Sequence, residues 1–356
     1  MLAVVYASRG EGPAPFTQSP VDMTMTEQRI ALITGGTGFI GTYLTRDLVE
    51  RGWRCRLLGL PGSASAQLLA LPGVEFREAD VRDPATLEGV AEGAEHVYHL
   101  AAAGHVTAQS EDAYERFREM NVGGVSNVMR ACAGGGVKKL VHFSSTAAMG
   151  LIHKPLVDES DEPEPKTPYQ RSKLESERAA FELGRELQIQ TVVIRPCMVY
   201  GAGGAGEFKK MCSLMRRGLF PRVGLGRNLT PMVHARDVVQ GARLAAERGR
   251  PGEVYLITSA RSIELEEMRR LVLRAWGVWV PHPFVPVRVM LAVAAGFERW
   301  AQVRGSIPVA TRQNIRSTVY DREFSIAKAR NHLGYEPQMS FEEGIRETVE
   351  WFQSGG

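Results

Sequence analysis

A short apolar run, Arg29–Thr34, ends in Thr34-Gly35-Gly36-Thr37-Gly38-Phe39-Ile40-Gly41. Ile40, Leu44 and Leu48 then recur at helical spacing, and Gly52 closes that segment. The run reads as a buried strand and the repeat as a helix. Gly35, Gly38 and Gly41 have the spacing G-x-x-G-x-x-G. Glycine is needed there for a tight turn, for close approach of backbone to a pyrophosphate, and for close packing of helix on strand. The open N–H groups at the helix start then present positive potential to the phosphates. The segment therefore predicts a strand, a turn and a helix built around a dinucleotide.

The rest of the chain keeps that rhythm. Arg54–Leu58, Val74–Glu78, His96–Leu100, Lys139–Ser144 and Thr191–Arg195 read as strands. Pro84–Ala91, Ala113–Ala133 and Pro168–Leu187 read as helices between them. Such alternation predicts a parallel sheet with helices on both faces. After Tyr200 the pattern changes. Gly201–Gly206 is a loop, Glu207–Arg217 and Ala235–Glu247 are helical, Val254–Thr258 is one more strand, and the remainder is helical with prolines. The predicted fold is α/β, a Rossmann-like doubly wound parallel sheet with a smaller, mainly helical C-terminal substrate lobe. Residues 29–200 form the dinucleotide-binding domain and 230–258 return to it, while 201–229 and 259–356 form the lobe. Residues 1–28, rich in Pro, Gly, Ser and Thr, read as a disordered extension, and Met23 and Met25 offer later starts. The apolar stretch Leu2–Ala7 is too short for a signal peptide.

Apolar residues make up 44% of the chain, enough for a full core. A net charge of +3 with no basic tract interleaved with aromatics argues against nucleic acid as a partner. Cys55, Cys132, Cys197 and Cys212 are scattered without metal-ligand spacing. They read as free thiols of a reducing compartment, so no metal and a cytoplasmic location are expected. No apolar run reaches the roughly 18–20 residues that span a bilayer.

Tyr169-Gln170-Arg171-Ser172-Lys173 opens a helix after Pro168 and puts Tyr169 and Lys173 on one face. A lysine one turn from a tyrosine favours the phenolate, which would move the tyrosine pKa down from about 10 and make the pair an acid/base unit. The fifth strand ends in Phe143-Ser144-Ser145-Thr146, three hydroxyls at the edge that faces the cofactor crevice. Any of the three could hold a substrate oxygen. The second strand ends in Leu58-Gly59-Leu60, with no carboxylate for ribose hydroxyls and no arginine for a 2′-phosphate. The missing arginine favours NAD over NADP.

Together these residues resemble the extended short-chain dehydrogenase/reductase family. The likeness runs through TGGTGFIG (Thr34–Gly41), DVRD (Asp80–Asp83), HLAA (His99–Ala102), NVGG (Asn121–Gly124), FSST (Phe143–Thr146), YQRSK (Tyr169–Lys173) and RPCMVYG (Arg195–Gly201). It implies that Gly35, Gly38, Phe39, Ile40, Gly41, Asp80, Val81, Ala101, Ala102, Asn121, Tyr169, Lys173, Pro196 and Val199 bind the cofactor, with Asp80 and Val81 at the adenine. Asn121 should serve a proton relay and the strand–helix junction. Counting back from Gly150, the family's catalytic serine falls on Ser145, beside Tyr169 and Lys173. Met149 stands where a tyrosine is common, which should make the pocket more apolar. A homodimer is also implied.

The family divides by substrate. Enzymes of nucleotide sugars grip a diphosphate, commonly with an asparagine where this chain has Met198 and an arginine where it has Thr230. Each charge-assisted contact is worth about 1.5–3 kcal/mol, although Arg227 could replace part of the loss. Ala327–Pro337 and Phe341–Phe352 resemble the endings of 3β-hydroxysteroid dehydrogenases, including the decarboxylating sterol 4-carboxylate branch. Residues 281–303 are apolar with flanking arginines and read as a lipid entrance and a surface for peripheral membrane contact. The expected activity is hydride transfer at a secondary alcohol or ketone of a small hydrophobic substrate, sterol-like or a β-hydroxy acid. Thr146, Met149, Met198 and Thr230 should line its pocket. The alternatives are a nucleotide-sugar 4-epimerase or dehydratase and a non-catalytic NAD(P)H-sensing protein.

Overall fold

The computed structural model describes residues 29–104, 111–204, 206–220, 222–223, 228–281, 284–304, 311–312, 315 and 321–355. The expected extension 1–28 and Arg227 lie outside them. Seven parallel strands form the central sheet: β1 (Ile30–Thr34), β2 (Arg54–Gly59), β3 (Val74–Glu78), β4 (Ala94–His99), β5 (Lys139–Phe143), β6 (Gln190–Pro196) and an edge strand, Val254–Ile257. Their order is edge strand, β6, β5, β4, β1, β2, β3. The direction of winding reverses between β1 and β4, where a doubly wound sheet opens its ligand crevice.

Alternate side chains of the strands feed two cores. Ala31 and Ile33 of β1 pack with Leu44 and Leu48 of the helix Phe39–Glu50 and with Val238 and Ala242 of the helix Ala235–Arg248. Leu32 points the other way, to Val125, Val128 and Met129 of the helix Gly124–Cys132 and Ala180 and Leu183 of the helix Pro168–Glu186. Strands covered on both faces need the continuous apolar runs seen in the sequence.

A third core joins the helices Glu207–Arg216, Leu265–Trp276 and Phe341–Gln353 through Phe208, Met215, Met268, Val272, Ile345 and Val349. Tyr200 and Met232 connect it to the sheet side. The helix Ala327–Leu333, which the sequence division assigns to the lobe, packs with the main domain instead. Its Ala329 and Leu333 join the core under Val238 and Tyr255.

Three local readings are corrected. The expected helix Ala113–Ala133 is broken into Glu111–Arg118, a π-helical turn Glu119–Gly123, and Gly124–Cys132. Pro84–Ala91 shrinks to a 3₁₀ turn, Pro84–Leu87. Short pairings between Met198–Tyr200 and Met232–His234, between Leu229–Thr230 and Ile263–Glu264, and between Arg222–Val223 and Phe284–Val285 add three small ladders beyond the sheet among the described residues.

Candidate active site

The glycine loop is fixed by its own close contacts. Gly35 has φ +68°, and a Cβ there would lie 2.9 Å from the Ala101 nitrogen. A Cβ on Gly41 would overlap the Gly35 carbonyl oxygen, so helix and loop touch only because neither carries a side chain there. Gly38 caps the helix Phe39–Glu50 with no side-chain hydrogen bond to the first turn. The N–H groups around Phe39, Ile40 and Gly41 thus meet no side-chain acceptor, and the cradle fits the pyrophosphate of a dinucleotide. Thr34 Oγ1 accepts from the Ala101 nitrogen at 3.2 Å and lies 2.8 Å from His99 Nδ1, which ties the end of β1 to that of β4.

At the end of β2 the surroundings are neutral hydroxyls. Thr37 donates to Ser63 at 3.1 Å, both oxygens lie beside Gly59, and Leu60 is exposed. Asp80, past β3, is held by the Arg82 guanidinium, which keeps its carboxyl below the usual range. Val81 is buried beside it.

Thr167 and Gln170 form a capping box, with Pro168 in the first turn, so the helix bearing Tyr169 and Lys173 starts at a defined residue. Tyr169 is hydrogen-bonded to Ser145. The Phe117 ring, edge-on with its centroid 5.6 Å away, braces the tyrosine. Lys173, only 2% exposed, donates to the Phe143 carbonyl at 2.8 Å. Asn121, in the π-helical turn, donates to Ser172 Oγ at 2.9 Å and accepts from the Ala103 nitrogen at 2.9 Å. It therefore fastens the β4 end to the Tyr169 helix, and neither bond reaches Lys173, so the relay expected of Asn121 is not formed by these contacts.

The three strand-end hydroxyls separate cleanly. Ser144 is buried and donates to Glu177. Ser145 is half-buried, accepts from the Ala147 nitrogen at 3.1 Å and meets Tyr169. Thr146 is half-buried at the start of a 3₁₀ turn. Of the three, Ser145 is the one that acts on the tyrosine hydroxyl.

Glu177 also receives Arg195 in a buried two-bond pair at 2.9 and 2.6 Å, and Arg195 Nη1 reaches Met149 Sδ at 2.6 Å. The sequence reading missed this network and Phe117. It also misplaced Met149, which is only 1% exposed and sits on Arg195 rather than on a pocket wall. The reason is packing: the turn Thr146–Met149 folds its last side chain back over β6. Met198 is half-buried against the lobe core, Thr230 pairs with Ile263, and Val199 pairs with Val233 next to the main core. Pro196 ends β6 and is buried, and Ala102 follows β4 half-buried.

The electrostatics differ from the sequence expectation. Burial pushes Tyr169 up to about 12, a shift that the Ser145 hydrogen bond opposes. Burial also lowers Lys173 to about 8, with Glu177 opposing. The lysine is held by a backbone carbonyl on the sheet side, so desolvation outweighs any mutual effect of the two groups. His99 and His142, stacked at 5.4 Å over the same region, are driven neutral by burial and by Lys173. The four cysteines are buried and unpaired, and among the described residues no cluster could hold a metal ion.

Residues 31–258 match the NAD dependent epimerase/dehydratase family. The chain is 31% identical over 323 residues to a 4-hydroxy-2-methyl-3-oxo-4-farnesyl-3,4-dihydroquinoline-1-oxide ketoreductase of Stigmatella aurantiaca, covering 88% of this chain and 93% of that one. It is 28% identical over 345 residues to a 3 beta-hydroxysteroid dehydrogenase/Delta 5-->4-isomerase of Mycobacterium tuberculosis, covering 92% of each. The UDP-glucose 4-epimerase of Thermotoga maritima superposes with a TM-score of 0.73 at 25% identity, over 92% of this chain and 99% of that one. The glycine cradle at the sheet's switch point, the Tyr169–Lys173 helix and these matches place the chain in the NAD dependent epimerase/dehydratase family, as an enzyme of the extended short-chain dehydrogenase/reductase type.

Proposed function

We propose that the protein is an NAD(P)-dependent dehydrogenase or reductase of a secondary alcohol or ketone on a hydrophobic substrate, sterol-like or a β-hydroxy acid. The observation that carries this reading is the Tyr169–Ser145 hydrogen bond above a buried Lys173. In reduction Tyr169, a protonated phenol near neutral pH, gives its proton to the ketone oxygen, in oxidation its phenolate takes the alcohol proton, and Ser145 holds that oxygen. Lys173, fixed by the Phe143 carbonyl, keeps positive charge beneath the tyrosine whenever it is protonated. Gly35, Gly38, Phe39, Ile40 and Gly41 would hold the pyrophosphate by backbone, Asp80 and Val81 the adenine, and Ala101, Ala102, Asn121, Pro196 and Val199 the length of the cofactor. Bound nicotinamide dinucleotide supplies the hydride acceptor or donor. The neutral Thr37–Ser63 pair favours NAD over NADP.

Hydrophobic substrates fit the uncharged Met198 and Thr230, and two relatives carry names of ketone or hydroxysteroid enzymes. The helix Val287–Arg304 exposes Val289, Val293, Phe297 and Trp300 at helical spacing, with Arg288, Arg299 and Arg304 nearby. This stripe is the surface through which a lipid-like substrate is taken from a membrane. No helix among the described residues is long and apolar enough to cross one.

An NAD(P)H-linked screen over sterols, β-hydroxy acids and UDP-sugars tests the assignment. Turnover of an apolar alcohol, lost by at least 100-fold in kcat in Tyr169→Phe with cofactor binding retained, is the expected result. Interconversion of a UDP-sugar without net cofactor consumption would replace this reading with an epimerase.

A further inference from the structure

The helix Pro168–Glu186 grips the end of β5 at three successive residues. Lys173 donates to the Phe143 carbonyl at 2.8 Å, Glu177 accepts from the Ser144 hydroxyl, and Tyr169 meets Ser145. Tyr169, Lys173 and Glu177 are spaced four residues apart, so they lie along one face of the helix. The first two are the acid/base pair of the proposed reaction. The third is a buried charge for which that reaction has given no use.

Glu177 reaches both flanks of Ser145. On one side it binds Ser144, whose backbone nitrogen also donates to the Ile194 carbonyl at 2.9 Å. On the other it works through Arg195, the next residue of β6. Arg195 donates twice to the carboxylate, at 2.9 and 2.6 Å, and its Nη1 reaches Met149 Sδ at 2.6 Å. Met149 is the last residue of the turn that Ser145 caps. A two-bond guanidinium–carboxylate pair fixes direction as well as distance. Ser145 is thus clamped from both sides to the helix that carries Tyr169.

The same carboxylate is, among the described residues, the anion that acts on Lys173. Side chains four residues apart on a helix start about 5–6 Å from each other. Lys173 and Glu177 are each only 2% exposed, so water screens them little. The other groups on the elements packed around Lys173 bring no second anion. His99 of β4 and His142 of β5 are driven neutral by burial, and Arg195 of β6 is taken up by Glu177. Asn121 of the π-helical turn is uncharged, and Cys132 of the helix Gly124–Cys132, raised to about 12 by burial, is a neutral thiol. On the helix Glu111–Arg118, Tyr114 donates to Glu175 and lies under Arg171. Those two residues stand two positions from Lys173, on the opposite side of its helix.

We infer that Glu177 is a positioning residue for the reaction: it steadies the Lys173 ammonium beneath Tyr169 and seats Ser145 beside it, with Arg195 holding the carboxylate in place. The effect on turnover rests on the dehydrogenase reading, but the action of Glu177 on Lys173 does not.

Two measurements on the full-length protein keep these apart. The first follows Lys173 itself by NMR of protein carrying isotope-labelled lysine, its resonance assigned by its loss in Lys173→Met. Wild type should titrate at about 8. Glu177→Gln keeps the shape of the side chain without its charge and should weaken proton binding at Lys173 by at least about tenfold. It also leaves Arg195 buried and unpaired, which could prevent folding. Glu177→Gln combined with Arg195→Met removes both charges and should still bind that proton more weakly than wild type. Proton affinity equal to wild type in either folded variant overturns the inference. The second measurement is the pH dependence of kcat and KM on the alcohol or ketone that the screen identifies. The alkaline limb of kcat should move to lower pH by the same factor as Lys173, with KM little changed. A uniform loss of kcat at every pH would make Glu177 a brace alone and overturn its positioning role. Proton affinity that follows Glu177 in a protein that turns over no alcohol or ketone refutes the dehydrogenase reading and leaves Glu177 as the anion of Lys173.

Discussion

Lys173 should make the stability of the protein depend on pH in a way that a surface lysine cannot. Burial lowers its pKa from 10.5 to about 8. Below about pH 8 both folded and unfolded chains hold the proton, and the folded state bears the cost of a desolvated ammonium. Between about 8 and 10.5 the unfolded chain binds more protons, so stability rises with pH across that window. At about 1.4 kcal/mol per tenfold change the full rise is about 3 kcal/mol. The buried cysteines act in the opposite sense. Cys55, Cys132, Cys197 and Cys212 are raised from 9.0 to about 12, so unfolding is favoured as pH climbs above 9. The wild-type curve alone is therefore ambiguous, and the difference from Lys173→Met isolates the lysine. Methionine leaves the Phe143 carbonyl without its donor at every pH, which is a constant offset. Urea unfolding at a series of pH values from about 7 to 10.5, without added cofactor, should show wild type gaining on the variant by about 3 kcal/mol. A flat difference would refute the claim that burial of Lys173 outweighs the opposing pull of Glu177.

Three further outcomes follow from particular contacts. Glu177→Ala strips Arg195 and Ser144 of their acceptor in a buried setting and should cost about 3–5 kcal/mol in urea unfolding, and a loss below about 1 kcal/mol would remove the network from the list of things holding β6 to the Tyr169 helix. Gly41→Ala drives a methyl group into the Gly35 carbonyl and should weaken NADH binding at least tenfold by fluorescence titration, whereas unchanged affinity would show that the loop does not contact the cofactor. Liposome co-sedimentation should fall on replacing Val293 and Trp300 with serine, and equal sedimentation of both forms, or of neither, would dismiss the exposed stripe of Val287–Arg304 as a lipid surface.

What could be read in the sequence divides along a physical line. The glycine loop, the capping box and the Tyr169–Lys173 spacing are local, because each is settled within one turn of backbone. The strand–helix alternation is visible because strands buried on both faces must be apolar throughout. The Glu177–Arg195 pair depends on how a helix lies against a strand, and nothing in the spacing of those two residues along the chain announces it. The π-helical turn at Asn121 is likewise imposed from outside, since the residue must reach both Ala103 and Ser172. Met149 was read by its chemistry as a pocket residue, but a turn of four residues decided its direction.

The same line separates the general chemistry of this site from its selectivity. Tyr169, Lys173 and Ser145 are held by contacts that any substrate of the family would share. Selectivity must come from the pieces that meet only in three dimensions: the ladder at Leu229–Thr230, the loop at Val157 and the segment at Arg322 that hydrogen-bonds to both.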